Sequence, residues 1–420
     1  MQVIFQSGGL GTRLYPETLN KPKCFLKVNN KTIFSHQYAE LIKYNLHKKL
    51  IIITNKNHKN YFISFFKNKK NKPKIIIEDP IWGSGGSMIK NINIFEKKFI
   101  LIYSDIFFKI NFKKFISFKR GNSKIICHKS NHVFDSDTIF FDKNNRITKI
   151  FSKKEKIKLS NISLSGIYFL NKNIFNKLRL KKIDMANIIK KKIKNKVIYS
   201  YYSSEEFFDF GTKKRLKKLK KEKFNKKNKK LTFIIDRDGT MIEEKKYPNS
   251  VEKIKFLNDF LVFFKHIKKF NPLIICITNQ SAISKGFITF KQLDKIHKSL
   301  NFKLRNKTKL NIDAFYICPH YPEKGFKGEI KKYKIKCRCR KPQNLLFKQA
   351  NKNYNLDSSI IYNIGNNVSD MLPSIKSNIK NNILINRSLK NNVIINKSGY
   401  KEMNYLTLAN KLKCLELLHR

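Results

Sequence analysis

Asp236 and Asp238 stand two residues apart in Leu231–Thr240, LTFIIDRDGT, directly after five mostly apolar residues. Carboxylates at that spacing can share a hard cation such as Mg2+ through oxygen. One can attack phosphorus while the other handles the leaving-group proton. A strand ending in a solvated acidic turn has the same letters, so the pair gains weight only from further segments. Thr278 and Asn279 end a second apolar run and bring a hydroxyl and an amide suited to a transferring phosphoryl oxygen. Cys318 and His320 form one close pair, and Cys337 and Cys339 a second, sixteen intervening residues later. Three thiolates and one imidazole make a closed tetrahedral set for structural Zn2+, against the alternative of chance pairs. With all four positions filled by protein, such a metal would pin the loop carrying Arg340 and Lys341 rather than catalyse.

Near the start, Gly8, Gly9 and Gly11 punctuate Gln6–Leu14, QSGGLGTRL, and let backbone N–H groups approach phosphate closely. Thr12 belongs to the same loop. Arg13 adds a planar fork for phosphate oxygens, and Lys21, eight residues on, a point charge.

The elements that must position these groups follow from apolar patterning. Leu231–Ile235, Leu273–Ile277, Ile312–Ile317 and Ser359–Ile364 read as strands buried on both faces, as in a parallel sheet, where ligands gather beyond the carboxyl ends. Ile254, Leu257, Leu261, Phe264 and Ile267 predict a covering helix over Val251–Phe270. In the first half, strands are expected at Val3–Phe5, Leu50–Thr54, Lys74–Glu78 and Phe99–Tyr103. A helix over Ile33–Tyr44 is expected to set Phe34, Tyr38, Leu41 and Ile42 on one side. Lys213–Lys230 is dense in lysine and, beyond about Glu222, has almost nothing to bury. The expected organisation is a domain over 1–222, a basic linker over 223–230 and a domain over 231–420.

The GGLGTRL loop followed by Lys21-Pro22 resembles the sugar-1-phosphate nucleotidyltransferases, whose signature is GGxGTRL and then PKP. That resemblance implies a Rossmann-like domain with a mixed sheet that uses an NTP and Mg2+. It makes Trp82–Gly86, with Gly83, the second glycine-rich turn, beside the nucleobase. Asp105 matches the family's metal-holding aspartate, Asp209 in Asp209-Phe210-Gly211-Thr212 the one that completes the Mg2+ site, and Ser165–Tyr168 the sugar-side turn. Gln6-Ser7 replaces the usual apolar residue and Ala, and Phe151-Ser152-Lys153-Lys154 lacks the glutamate of the family's F-x-E-K.

DRDGT, TNQSAISKG, CPHYPEKG and KCRCRKP together resemble the haloacid dehalogenase superfamily, and within it the D-glycero-D-manno-heptose 1,7-bisphosphate phosphatases. Histidinol-phosphate phosphatases, which share the zinc loop, are a sister reading. The resemblance implies an α/β domain with a parallel sheet and zinc loop. Asp236 would form the aspartyl-phosphate and Asp238 act as acid/base. Thr278, Asn279 and Lys341 would bind the transferring phosphoryl group, and Arg340 would touch substrate. The fourth motif departs from Gly-Asp-Lys: Gly365-Asn366-Asn367 puts an amide where a Mg2+-binding carboxylate is usual, with Asp370 following.

Composition bounds the alternatives. The 420 residues carry 90 Lys+Arg against 29 Asp+Glu, a net charge of +61. Because the excess is mostly lysine spread end to end, it implies non-specific attraction for polyanions rather than a dedicated nucleic-acid site. The runner-up enzyme reading is a nucleotidyltransferase and phosphatase pair acting on another sugar phosphate, and a polyanion-binding protein on two decayed enzyme domains is the non-enzyme alternative. No apolar run of 18 residues suggests a membrane span, and the scattered cysteines suggest a reducing, cytoplasmic setting. The expectation is a bifunctional enzyme of NDP-heptose biosynthesis, with sugar phosphates and an NTP, most readily GTP, as its small-molecule partners.

Overall fold

The computed structural model describes residues 1–130, 135–152, 160–195, 197–221, 231–244, 254–356, 361–390 and 392–417. The chain divides into two compact units, Met1–Asn228 and Lys229–Arg420. The expected linker 223–230, and Lys153 and Lys154, lie outside the described residues.

The first unit is built on a nine-stranded mixed sheet. At its centre Gln2–Ser7 runs parallel to Leu50–Thr54 on one side and Lys98–Tyr103 on the other. Every residue of Leu50–Thr54 is buried, which is why the run does not alternate. Ile162–Asn171 then pairs antiparallel with Lys98–Tyr103 and makes the sheet mixed. The helix Ile33–Lys43 is capped by Thr32, whose Oγ1 accepts from the Ser35 N–H at 3.1 Å. It buries Ile33, Phe34, Gln37, Tyr38 and Leu41, but Ile42 is exposed. Ile42 lies one 100° step past Leu41, beyond the edge of that stripe.

The second unit carries a seven-stranded sheet in the order Ala314–Cys318, Leu273–Asn279, Thr232–Ile235, Ile361–Gly365, Asn381–Ile385, Tyr400–Met403, Ile394–Asn396. All neighbours are parallel except the last pair. Four strand ends therefore deliver Asp236, Thr278, Cys318 and Gly365 to one edge. Residues 251–253 of the expected covering helix lie outside the described residues; from 254 on the helix is shorter than the periodicity predicts, Asn258–Ile267, with a 3-10 turn over Lys268–Phe270. Backbone bonding explains the late start. Glu243 N donates to Lys255 O at 3.0 Å and Leu257 N to Met241 O at 3.1 Å, so this stretch pairs with the turn after Asp238 instead of coiling. Ile254 is buried in the same core by that route. Among the described residues no helix is long and apolar enough to cross a membrane.

Candidate functional site

In the first unit, Gly8 and Gly9 follow the central strand and line a cavity of about 220 Å3 together with Gln6, Lys23, Glu78, Ile81, Gly83, Ser84, Tyr103, Ser104 and Asp105. Gly11 sits behind the loop at φ +76, where a Cβ would lie 3.0 Å from Thr18 Oγ1. Thr18 in turn donates to Gly11 O at 2.9 Å and closes the loop on itself. Thr12, Arg13 and Lys21 are exposed and do not line this cavity. Lys23, two residues past Lys21, does, with its Nζ 3.5 Å from Asp105 Oδ2.

Asp105 and Asp209 arrive on paired strands, Ile106–Lys109 and Glu206–Asp209, with Asp209 opposite Ile106. Asp209 Oδ1 accepts from Gly211 N at 2.7 Å, and its Oδ2 takes Arg215 NH1 at 3.0 Å. Arg13 lies beside them: a Cβ on Gly211 would be 3.0 Å from both Arg13 NH2 and Asp209 Oδ1. The second glycine-rich stretch is not a turn but the helix Gly83–Lys90. Its glycines allow close packing, since a Cβ on Gly86 would meet Lys181 O at 2.4 Å and one on Gly85 would meet Ile188 Cδ1 at 2.7 Å. Ser165–Tyr168 likewise is no turn. It is a register shift inside the strand Ile162–Asn171, with Gly166 at φ +82 against the Tyr103 ring.

The sequence pattern gave no reason to single out Glu78. It is 3% exposed, its Oε1 is buried without a hydrogen-bond partner, and burial holds its carboxyl above the usual range, opposed by Ser87 and Lys90. Gln6 Oε1 is buried and unpartnered in the same wall, while its Nε2 donates to Ser84 O at 3.3 Å. Both oxygens are enclosed in the cavity wall and lack a protein partner there.

In the second unit two carboxylates, Asp236 at a strand end and Asp370 in the first turn of the helix Val368–Ile375, converge on one ammonium. Lys341 Nζ lies 2.5 Å from Asp236 Oδ1 and 2.6 Å from Asp370 Oδ1, and donates to Ile277 O at 3.0 Å. Burial pushes Asp236 up to about 7; Asp370 and Asp238 add to the rise and Lys341 opposes it. Burial alone would pull Lys341 down, but Asp236 and Asp370 outweigh it and raise it. Asn279 does not point at this centre. It clasps the Lys341 backbone, accepting from Lys341 N at 3.0 Å and donating to Lys341 O at 3.2 Å. Thr278 Oγ1 accepts from Gln280 Nε2 at 2.9 Å, and the same Nε2 reaches Asp238 Oδ2 at 2.9 Å. Asn366 Oδ1 accepts from Thr240 Oγ1 at 2.9 Å, and Asp370 Oδ2 caps its own helix through Asn367 N at 3.0 Å.

Cys318, His320, Cys337 and Cys339 gather as the spacing predicts, with all ligand atoms within 4.8 Å of one another. His320 presents Nδ1, 3.1 Å from Cys339 Sγ, and Cys318 Sγ lies 3.6 Å from Cys337 Sγ. Hydrogen bonding from Cys318 pushes Cys339 down to about 5 against the effect of burial, with His320 and Cys337 adding to the fall. The set can hold a thiophilic divalent metal. Arg340 follows at once, with its N–H 3.4 Å from Cys337 Sγ, NH1 3.4 Å from His320 O, and its guanidinium 5.0 Å over the Tyr321 ring.

A glycine-loop cavity on a mixed sheet and a buried Asp–Lys–Asp cluster at a parallel-sheet edge are the two candidate sites. Residues 2–225 match the family model for nucleotidyl transferases. D-glycero-beta-D-manno-heptose-1,7-bisphosphate 7-phosphatase of Haemophilus ducreyi is 31% identical over 156 residues, 37% of this chain and 83% of its own length. Its counterpart in Pasteurella multocida is 30% identical over 177 residues, 42% of this chain and 91% of its own. Among solved structures, HddC from Yersinia pseudotuberculosis matches with a TM-score of 0.44 at 24% identity, over 52% of this chain and 97% of that one. The chain therefore belongs to the nucleotidyl transferase family over residues 2–225 and, over a further stretch of 156 residues, to the family of the D-glycero-β-D-manno-heptose-1,7-bisphosphate 7-phosphatases.

Proposed function

We propose that residues 231–420 remove the 7-phosphate of D-glycero-D-manno-heptose 1,7-bisphosphate and that residues 1–222, joined through 223–230, transfer GMP from GTP to the resulting heptose 1-phosphate. The observation that carries the reading is Lys341 bridging Asp236 and Asp370 at the strand edge, in a chain whose other half is a nucleotidyl transferase. In the first step Asp236 attacks the 7-phosphorus, the P–O7 bond breaks, and O7 takes a proton from Asp238. Water then gives its proton to Asp238 and displaces Asp236, releasing phosphate. Lys341 neutralises phosphoryl oxygens throughout. The free 1-phosphate is the nucleophile that nucleotidyl transfer requires. The test is to supply the bisphosphate with each NTP and to measure phosphate and pyrophosphate separately. Phosphate release from the bisphosphate, followed by pyrophosphate with GTP, is expected. Pyrophosphate without prior phosphate release would overturn the order.

The oxygen-only donors fit Mg2+ at both sites. Asp236, Asp370 and the Asn366 amide would hold it in the second unit, leaving the Asp238 carboxyl to carry the proton, and Asp105 and Asp209 would hold it in the first. There it would supply charge neutralisation of phosphoryl oxygens. The three-thiolate, one-imidazole cluster suits Zn2+, and its cysteines favour the reducing cytoplasm. Asn366 contributes an oxygen but no charge, so Asn366→Asp is expected to lower the Mg2+ concentration for half-maximal phosphatase rate by about tenfold, since ligand charge sets affinity. An unchanged Mg2+ titration would assign that role to Asp370.

Glu78 would favour GTP over the other nucleotides once its carboxylate turns out of the cavity wall to face the base. Guanine offers adjacent N1–H and 2-amino donors to one carboxylate, and each such bidentate contact discriminates by about 1–3 kcal/mol. Adenine and cytosine each offer a single amino group there, and uracil a single N–H. Glu78→Gln keeps the shape but opposes an amide donor to a base donor. It is expected to lower kcat/KM for GTP by about 10- to 100-fold, with little change for the other NTPs. Equal losses for all four would remove Glu78 from base selection.

A further inference from the structure

Arg237, between the two aspartates, takes no part in the chemistry described above, yet it is the largest fully buried side chain and only 2% exposed. Its neighbours along the chain turn to the site, while Arg237 turns inward. Nε lies 3.1 Å from both Asp238 oxygens and NH2 2.9 Å from Asp238 Oδ1. The remaining arm, NH1, meets His297 Nε2 at 3.3 Å. His297 belongs to the helix Phe290–Thr308 and stacks on Phe315, ring centroids 4.0 Å apart and 9° from coplanar. Burial, with Arg237 adding to it, pushes His297 down to about 3, so the ring is neutral. A neutral imidazole facing a guanidinium must present the Nε2 lone pair and carry its proton on Nδ1. Gln280 Nε2 closes the other side of Asp238 at 2.9 Å.

A buried guanidinium is costly, and a solvated aspartate needs no such clamp. Arg237 holds both Asp238 oxygens and Gln280 one. The Asp238 side chain nonetheless remains 26% exposed. An aspartate has two free torsions, and a bidentate fork with an added amide fixes both.

We propose that Arg237, itself oriented by His297, together with Gln280 forms a positioning clamp that holds the Asp238 carboxyl where it meets the leaving oxygen. The clamp rests on the reading above in which Asp238 is the proton donor. In the first step its effect is confined to protonation of the leaving oxygen, because Asp236, Lys341 and Asp370 form a separate set of contacts; the later uptake of the water proton by Asp238 is common to every substrate. The clamp therefore matters for an alkyl phosphate, whose alkoxide cannot leave unprotonated, and little for an activated aryl phosphate, whose phenolate can.

The experiment uses the full chain and compares heptose 1,7-bisphosphate with p-nitrophenyl phosphate. Arg237→Lys keeps the charge and loses the fork. His297→Phe keeps the stack on Phe315 and removes the acceptor. Both are expected to lower kcat on the bisphosphate by about 10- to 100-fold, as a misplaced acid does, with KM and the rate of the first-turnover burst of p-nitrophenol changed less than about threefold. Parallel loss on both substrates, or no loss on either, overturns the clamp. Asp238→Asn separates this from the parent reading. If that variant spares the bisphosphate as much as the aryl ester, Asp238 is not the acid and both claims fall. If Asp238→Asn is selective while Arg237→Lys and His297→Phe are not, the clamp alone falls.

Discussion

Asp236→Asn is expected to abolish phosphate release from heptose 1,7-bisphosphate, by roughly 10^4-fold or more, as removal of a nucleophile typically does, while leaving NTP-dependent pyrophosphate release from heptose 1-phosphate near normal. The amide lacks the anionic oxygen that attacks phosphorus. The variant should fold: Asp236 is pushed up to about 7 by burial, so a neutral isostere removes a cost rather than adding one. Lys341 still has Asp370 at 2.6 Å and the Ile277 carbonyl at 3.0 Å. Asp105→Ala is expected to do the reverse. It leaves Lys23 without its carboxylate at 3.5 Å and removes an Mg2+ ligand from the first unit. Pyrophosphate release should fall by about three orders of magnitude, the scale of several kcal/mol of lost charge stabilisation. Given bisphosphate and GTP, each variant alone should make no nucleotide sugar, and a mixture of the two should recover it through free heptose 1-phosphate. Loss of both activities in either folded variant would point to a single composite site.

What could be read beforehand divides along physical lines. Asp236 and the cysteine cluster were legible because their signals are local: an apolar run aims one, and paired spacing gathers the other. The parallel sheet was legible for the same reason, since strands buried on both faces do not alternate. Helix starts were less so. Ile254 and Leu257 fit a helical period, but their backbone bonds go to Met241–Glu243, a tertiary choice that periodicity cannot register. The glycines of Gly83–Gly86 looked like a turn because close packing against Lys181–Ile188 and a turn both demand glycine. Lys23, Glu78, Arg237, Gln280 and His297 escaped notice for one shared reason. Each matters through a partner far away in sequence or through the lack of one: Lys23 through Asp105, Arg237 through His297, Glu78 through its unpartnered oxygen. The alternation along Asp236-Arg237-Asp238 did hold a hint, because a residue between two site-facing carboxylates must face the core, where an arginine needs a reason.

Cys337→Ser is expected to empty the Cys/His cluster and to lower phosphatase activity by about 100-fold, while nucleotidyl transfer is unchanged. Cys337 Sγ is one of four ligand atoms within 4.8 Å and also receives the Arg340 N–H at 3.4 Å. A serine hydroxyl is a poor ligand beside two thiolates, so the remaining set holds Zn2+ weakly. Without the metal nothing covalent ties the loop after Cys318 to Cys337–Cys339, and Arg340 loses its fixed origin over Tyr321. Lys341 is also held from the opposite side by its paired backbone bonds to Asn279, so it should shift rather than leave. A displacement near 1 Å at a catalytic group is enough for a loss of about 100-fold. Elemental analysis should find about one zinc per chain in the purified protein and none in the variant. If a metal at the Cys/His cluster braces the lysine independently of Asn279, Asn279→Ala in the metal-bound protein should weaken the phosphatase as well. The double variant should then lose more than either alone. Full phosphatase activity in metal-free protein would contradict the bracing role and leave the cluster a stabiliser of the loop alone.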